Sequence, residues 1–439
     1  MRIPESNLPR VVVLGAGFGG LQVCKRLNKK KFQVVLLDRH NYHTFQPLLY
    51  QVATAGLEPD SIAYPIRKIF ENEHDNFYFR VAKAKEVNQK ENVLHTSAGT
   101  LDYDYLVIAT GSKTNFFGNS ELEKYAMPMK TVPESLNLRS LFLQNFEQAL
   151  LAGEVDDVEK LLSFAVVGGG PTGTELAGAI AELKSHVLPN DYPDIDFRKM
   201  TIHLLEAGPS LLMGMSEASS NKAKDYLEKM GVKVWMNTAV KKYDGEVLET
   251  NNGKRIPSRF LIWAAGVKGA PIEGLNEDQI GKGSRVLVNE FNCIKDSDNI
   301  FAIGDVAAMI NEENPKGHPM VAQPAIQQGQ LLAKNLEKHV ANQPMKPFKY
   351  FDKGSMATIG RNKAVAEVKS FKFSGLFAWM IWMFVHLMAL VGFRNKAVTF
   401  VNWLYAYFNY DKGARLIIRP FSRVSGGHKK ETVEVIVPE

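Results

Sequence analysis

Unbroken apolar runs recur along this chain, each closed by glycine or by an acid. Val11-Val12-Val13-Leu14 runs into Gly15, and Phe164-Ala165-Val166-Val167 runs into Gly168. Runs without polar alternation are those of strands buried on both faces, as in parallel sheets. A glycine turn and a helical period follow each of the two. Next come Val34-Val35-Leu36-Leu37-Asp38 and Ile202-His203-Leu204-Leu205-Glu206. After these, Tyr105-Leu106-Val107-Ile108 enters Ala109-Thr110-Gly111, and Phe260-Leu261-Ile262-Trp263 enters Ala264-Ala265-Gly266. The same order twice predicts an internal duplication of a strand-helix-strand unit and an α/β fold. Ile300-Phe301-Ala302-Ile303 is a further strand of the same kind, ending in Gly304-Asp305, and residues 185–199 read as a loop.

The pattern changes near the C-terminus. Residues 376–393 are apolar except for His386, a length that just reaches the ~18 residues of a spanning helix. Phe400, Trp403, Leu404, Tyr407 and Phe408 then recur at helical spacing, with Thr399, Asn402 and Asn409 off the stripe. An amphipathic second helix does not suit a two-span hairpin. Flanked by Arg394, Lys396, Lys412, Arg415, Arg419 and Arg423, it suits a helix lying in lipid headgroups. A buried dimerisation pair and one tilted span are the rival readings.

Composition adds three restrictions. At 439 residues, 45% of them hydrophobic, the chain has material for about three globular domains. The net charge of +6 is concentrated near the C-terminus, which points to anionic lipid rather than nucleic acid. Cys24 and Cys293 are the two cysteines, far apart, so no close redox pair exists in sequence. No metal site is read, and no signal or transit peptide is visible.

The candidate chemistry lies in the two G-x-G-x-x-G turns. Gly15, Gly17 and Gly20 make the first, with Phe18 and Gly19 between; Gly168, Gly170 and Gly173 make the second, with Pro171 and Thr172 between. Such a turn brings a pyrophosphate onto backbone N–H groups at a helix N-terminus. Asp38, followed by Arg39, and Glu206 are placed to accept from ribose hydroxyls. Glu206 has no arginine immediately after it, which favours NADH over NADPH. Asp305 reads either as a polyol contact or as a helix cap. Glu175 reads either as a helix-dipole carboxylate or as a group at the nicotinamide. Gln323 and Gln327, one turn apart, offer neutral amides to a carbonyl ligand or serve as surface and capping residues.

The order of these signals resembles the two-dinucleotide-binding-domain flavoprotein superfamily. Residues 42–54, with His43, Tyr50, Gln51 and Thr54, and residues 322–329, with Ala322, Gln323 and Gln327, are similar to the type II NADH:quinone oxidoreductases. That resemblance implies two Rossmann-like domains, the second inserted in the first, plus a C-terminal amphipathic-helix membrane-anchoring region. The implied FAD-binding domain is 1–115 and 285–340, around a connecting helical segment 116–160 and an NADH-binding domain 161–284; the anchoring domain is 341–439. FAD would meet Gly15, Gly17, Phe18, Gly19, Gly20, Asp38, Arg39, Thr54, Ala109, Thr110, Gly111, Gly304, Asp305, Ala322 and Gln323. NADH would meet Gly168, Gly170, Pro171, Thr172, Gly173, Glu175, Glu206, Ala265 and Gly266. A membrane quinone would meet Gln323 and Gln327, with Glu175 and Gln323 catalytic; His43 is either a quinone-side or a plain polar loop residue.

The implied activity is electron transfer from NADH to quinone without proton pumping, by a homodimer held peripherally at the cytoplasmic face of the cell inner membrane. Sulfide:quinone oxidoreductase, a soluble NADH oxidase or reductase, and a non-enzymatic nucleotide-dependent membrane interaction protein are the alternatives.

Overall fold

The computed structural model describes residues 1–73, 75–409 and 413–421. Its frame is a pair of five-stranded sheets. In spatial order the first holds Ile300–Ala302, Tyr105–Ile108, Arg10–Leu14, Gln33–Asp38 and Phe77–Val81, all parallel. The second holds Met127–Pro128, Phe260–Trp263, Ser163–Val167, Thr201–Leu205 and Val232–Trp235, also parallel. Val11 to Leu14 and Phe164 to Val167 are buried, as runs covered on both faces must be.

The duplication extends past the sheets. Each outer strand leads into a three-stranded antiparallel meander, Ala84–Asn88 to Gly99–Asp102 in one unit and Val240–Tyr243 to Arg255–Pro257 in the other. Each meander then feeds the strand that ends in the small-residue turn. The units differ at one edge. The edge strand of the first sheet arrives after the whole second unit, whereas that of the second arrives before it. Ser112–Thr114 and Val267–Gly269 pair antiparallel where the chain leaves one unit and returns.

Segment 116–160 is largely helical, its longest piece being Val132–Leu151, started by a capping box between Thr131 and Glu134. It also supplies the edge strand Met127–Pro128. The loop expected over residues 185–199 begins later than the sequence suggests. The helix Pro171–His186 continues into it, and Leu188–Asp191 forms another turn of helix.

Strands Ser355–Gly360, Lys363–Val368 and Phe371–Ser374 form an antiparallel sheet that packs on the helix Pro171–His186. The contact is close because of Gly178, where any Cβ would run into the Ile359 carbonyl. Two helices follow, Gly375–Ala389 and Phe393–Asn409. The long apolar run is therefore not one helix. It breaks before Gly392, which takes φ +85° and presses on the Tyr64 ring. No described helix is long and apolar enough to cross a membrane.

The helical stripe is split as well. Trp403 turns inward with the polar Asn395 and Thr399, while Phe400, Leu404 and Phe408 point outward. In the preceding helix Ala378 and Trp382 are buried, whereas Leu376, Phe377, Met380, Phe384 and Met388 are exposed. Periodicity grouped side chains that packing separates, because both faces of the last helix carry aromatics. Among the flanking cations, Arg415 pairs with Asp191 at 2.5 Å and Arg394 with Asp60 at 3.6 Å. Lys412 and Arg423 lie outside the described residues.

Candidate active site

Both glycine turns have the same geometry. Gly15 and Gly168 take φ of +100° and +113° against the backbone of Ala109 and Ala264. At Gly17 and Gly170 a Cβ would meet nothing within 4 Å, the open approach that a pyrophosphate requires. These two glycines are also the N-caps of Phe18–Arg26 and Pro171–His186, and neither helix has a side-chain cap. Their first N–H groups are thus available to an anion. Phe18, Gly19 and Gly20 open the first helix; Pro171, Thr172 and Gly173 open the second.

The acids brace these turns. Asp38 Oδ2 accepts from the Ala16 N–H at 2.7 Å, and Glu206 Oε2 accepts from the Gly169 N–H at 2.6 Å. Their second oxygens accept from His40 and Gly208. An ionised carboxylate offers about four lone-pair sites, so ribose hydroxyls still find acceptors. Arg39, beside Asp38, is exposed. His43 is no exposed loop residue: its buried ring bonds the Ala16 carbonyl at 2.7 Å through Nδ1 and meets Phe18 edge-on. Burial lowers its pKa, so the neutral ring donates there.

The small-residue turns sit against these loops. The Ala109 N–H donates to Leu14, and Thr110 Oγ1 donates to the Ala270 carbonyl at 2.7 Å, with Gly111 at φ +70° beside it. Ala265 and Gly266 are half-buried, Gly266 facing the Phe117 ring. Asp305 is no helix cap. Its Oδ2 accepts from Ser112 Oγ at 2.6 Å and lies 3.6 Å from Lys130 Nζ. Gly304 donates its N–H to Gln328 Oε1 at 2.7 Å.

Ala322 and Gln323 open the helix Ala322–Val340. Gln323 Nε2 donates to the Gly354 carbonyl at 3.2 Å, while its Oε1 is buried with no hydrogen-bond partner. A buried acceptor of this kind fits a ligand N–H or O–H. Gln327 differs, since its amide exchanges two hydrogen bonds with the Phe351 backbone, at 2.8 and 3.0 Å.

Glu175 is 7% exposed. Its Oε1 accepts from the Thr358 N–H at 3.3 Å and from Trp382 Nε1 at 3.1 Å. Burial pushes its pKa up to about 8, more than those two hydrogen bonds lower it. It lines a cavity of about 130 Å³ together with Thr54, Tyr50, Gln51, Trp382 and Trp403. Trp403 Nε1 donates to Gln51 Oε1 at 2.8 Å. Trp382 stacks on His386 at 4.1 Å, and burial pushes the His386 pKa down to about 4.

The structure thus joins Thr54 and Glu175 in one cavity wall, and Gln323 and Glu175 through opposite ends of a single segment, Gly354 and Thr358. It does not bring Gln327 into that wall. Sequence reasoning missed Lys130, Thr358, Trp382 and Trp403. One signal for the tryptophans was present: three of the five in the chain, Trp379, Trp382 and Trp403, fall in the last two helices.

Residues 9–329 match the pyridine nucleotide-disulphide oxidoreductase family and residues 353–409 match the NDH2 C-terminal domain. The type II NADH:quinone oxidoreductase Ndh of Mycobacterium tuberculosis is 35% identical over 92% of this chain and 89% of that protein. The type II NADH:quinone oxidoreductase of Haemophilus influenzae is 30% identical over 82% of this chain and 87% of its own length. Among solved structures, NDH2 from Plasmodium falciparum in complex with NADH superposes with a TM-score of 0.85 at 23% identity, over 94% of this chain and all of that one. The sulfide:quinone oxidoreductase of Aquifex aeolicus gives 0.69 at 22%, over 91% and 95%. At these identities the two structures establish the fold alone.

Proposed function

We propose roles for individual residues from one premise: this chain belongs to the type II NADH:quinone oxidoreductase family. It is an FAD-dependent enzyme that transfers electrons from NADH to quinone. FAD, held at the first glycine turn, would supply two-electron chemistry between NADH and quinone.

The residues fit both nucleotides. The uncapped first helix and the open side of Gly17 support FAD pyrophosphate binding there, with Asp38 on its ribose and Asp305, held by Ser112 and Lys130, on its polyol chain. The uncapped second helix and Glu206 support NADH at the other turn. The edge strand that returns at Ile300–Ala302 supports an NADH domain inserted within the FAD domain. The orphaned Gln323 Oε1 supports a contact to the flavin or the quinone. With both Gln327 amide ends on Phe351, Gln323 is the better candidate of the two.

The observation that carries the site is the cavity in which Thr54 and Glu175 share a wall with the two C-terminal helices. We assign it to the quinone head. Glu175, protonated below about pH 8, donates a proton to a quinone oxygen there. The outward apolar faces of both helices support peripheral attachment to a membrane, and its anionic cytoplasmic face is part of the proposal on family grounds. A homodimer remains part of the proposal on family grounds.

Sulfide oxidation of the kind that passes sulfur through cysteine is disfavoured. Cys24 and Cys293 are buried in the core of the first sheet, their thiols pushed up to about 12 and about 11. Anaerobic mixing tests the assignment. The flavin absorbance must bleach on adding NADH and return on adding a short-chain quinone, and Glu175→Gln must slow the return alone. An equal effect on both phases overturns the role given to Glu175.

A further inference from the structure

The reaction NADH + H⁺ + quinone → NAD⁺ + quinol breaks one C–H bond of the nicotinamide and forms two O–H bonds on the acceptor. The hydride carries both electrons and one hydrogen nucleus, so each turnover also takes one proton from water. Glu175 is buried behind aromatic side chains, and that proton needs an entry to it.

A second cavity, polar and of about 390 Å³, adjoins the first, its wall including Ser185, His186, Tyr226 and Lys363. Ser185 and His186 are exposed, so it is open to water. Two residues line both cavities, Glu182 and Arg361. A guanidinium does not release its proton in a protein, which leaves Glu182 as the group able to exchange one. Glu182 lies two turns beyond Glu175 on the same helix and the same face. The separation along the axis is roughly 10 Å at 1.5 Å per residue, a span that a short chain of waters bridges.

We propose that Glu182 is the entry residue that passes the solvent proton from the polar cavity to Glu175. This rests on the reading of Glu175 as the donor to quinone. Once the Glu175 O–H bond has broken toward the quinone oxygen, Glu182 takes a proton from solvent in the polar cavity, forming an O–H bond. That bond breaks as the proton moves on through water to the Glu175 carboxylate. No electrons move in this step. The titratable and charged groups lining the two cavities with Glu182 are Arg361, His186, Tyr226 and Lys363 on the polar side, and Tyr50, Tyr407 and Glu175 on the apolar side.

Glu182 also accepts from the Arg361 backbone N–H, pinning the turn between Ser355–Gly360 and Lys363–Val368. A test must therefore separate proton transfer from support of that turn. In anaerobic stopped-flow, Glu182→Gln is expected to slow quinone-dependent return of the flavin band by at least about tenfold, the low side of what a positioned acid contributes. Bleaching by NADH should stay within about twofold, and added formate, small enough for the polar cavity, should restore the return in proportion to its concentration. Glu182→Asp should be intermediate and also respond to formate, and it carries the test if the Gln variant does not fold. A wild-type return rate, or slowing that formate does not relieve, overturns the proposal. Glu175→Gln measured alongside separates the two claims. Slow return there with normal return in Glu182→Gln overturns the entry residue alone, and normal return in Glu175→Gln overturns the donor reading beneath it.

Discussion

Glu175 is a carboxylic acid kept from ionising by its surroundings, and its behaviour with pH follows in sign. The native state holds the proton up to about pH 8, whereas the unfolded chain releases it near the ordinary 4.5. Native stability therefore declines as pH rises through that window and levels off above it. Glu175→Gln should abolish the decline, so its melting temperature relative to wild type should climb by a few degrees between pH 5 and 8. Thermal unfolding across pH measures this, and parallel curves would refute it. Trp382→Phe removes an N–H that favours the charged form. The alkaline limb of quinone turnover should then move up by roughly one unit, and a downward shift would contradict the geometry. At the second glycine turn, Glu206→Arg removes both the brace on Gly169 and the ribose acceptor. The KM for NADH should rise by roughly tenfold with relative gain for NADPH, as steady-state kinetics would register.

The glycine turns and their acids were legible because backbone chemistry fixes both spacing and residue type. Asp38, Glu206, Gly17 and Gly170 sit where the pattern puts them. The C-terminal elements were legible in kind but not in orientation. Trp403 and Phe408 belong to one stripe by spacing, yet one seals the cavity and the other faces outward. Hydrophobic periodicity records which residues avoid water and not which partner covers them. Thr358 and Lys130 were invisible for another reason: one acts through a backbone N–H, and the other is a lone cation placed by tertiary contact. The outward faces lead to a prediction about the helices themselves. Replacing Phe384, Leu404 and Phe408 together by Lys or Ser should weaken binding to anionic vesicles by at least about a hundredfold, since each buried side chain contributes ~1.5–3 kcal/mol. Co-sedimentation decides it, and unchanged binding would rule out these faces as the contact.

At the scale of the whole molecule the two nucleotide units repeat one plan, and the C-terminal region completes what neither unit has alone. The sequence divided anchor from catalyst, but Trp382, Trp403 and Thr358 all come from the region read as anchor. Truncation after residue 374 should therefore remove quinone turnover together with membrane attachment. NADH oxidation by ferricyanide, a one-electron acceptor that needs no quinone cavity, should persist if the truncated chain still folds. Circular dichroism checks the fold, and retained quinone turnover in a folded truncation would place the acceptor elsewhere.

The hydrogen bond from Trp382 to Glu175 ties a helix with a greasy outer flank to the acid of the neighbouring unit. If the proposed attachment shifted that helix, the same bond would lengthen or shorten with it. On the proposed attachment, one indole would then link the acid's protonation to how that helix sits.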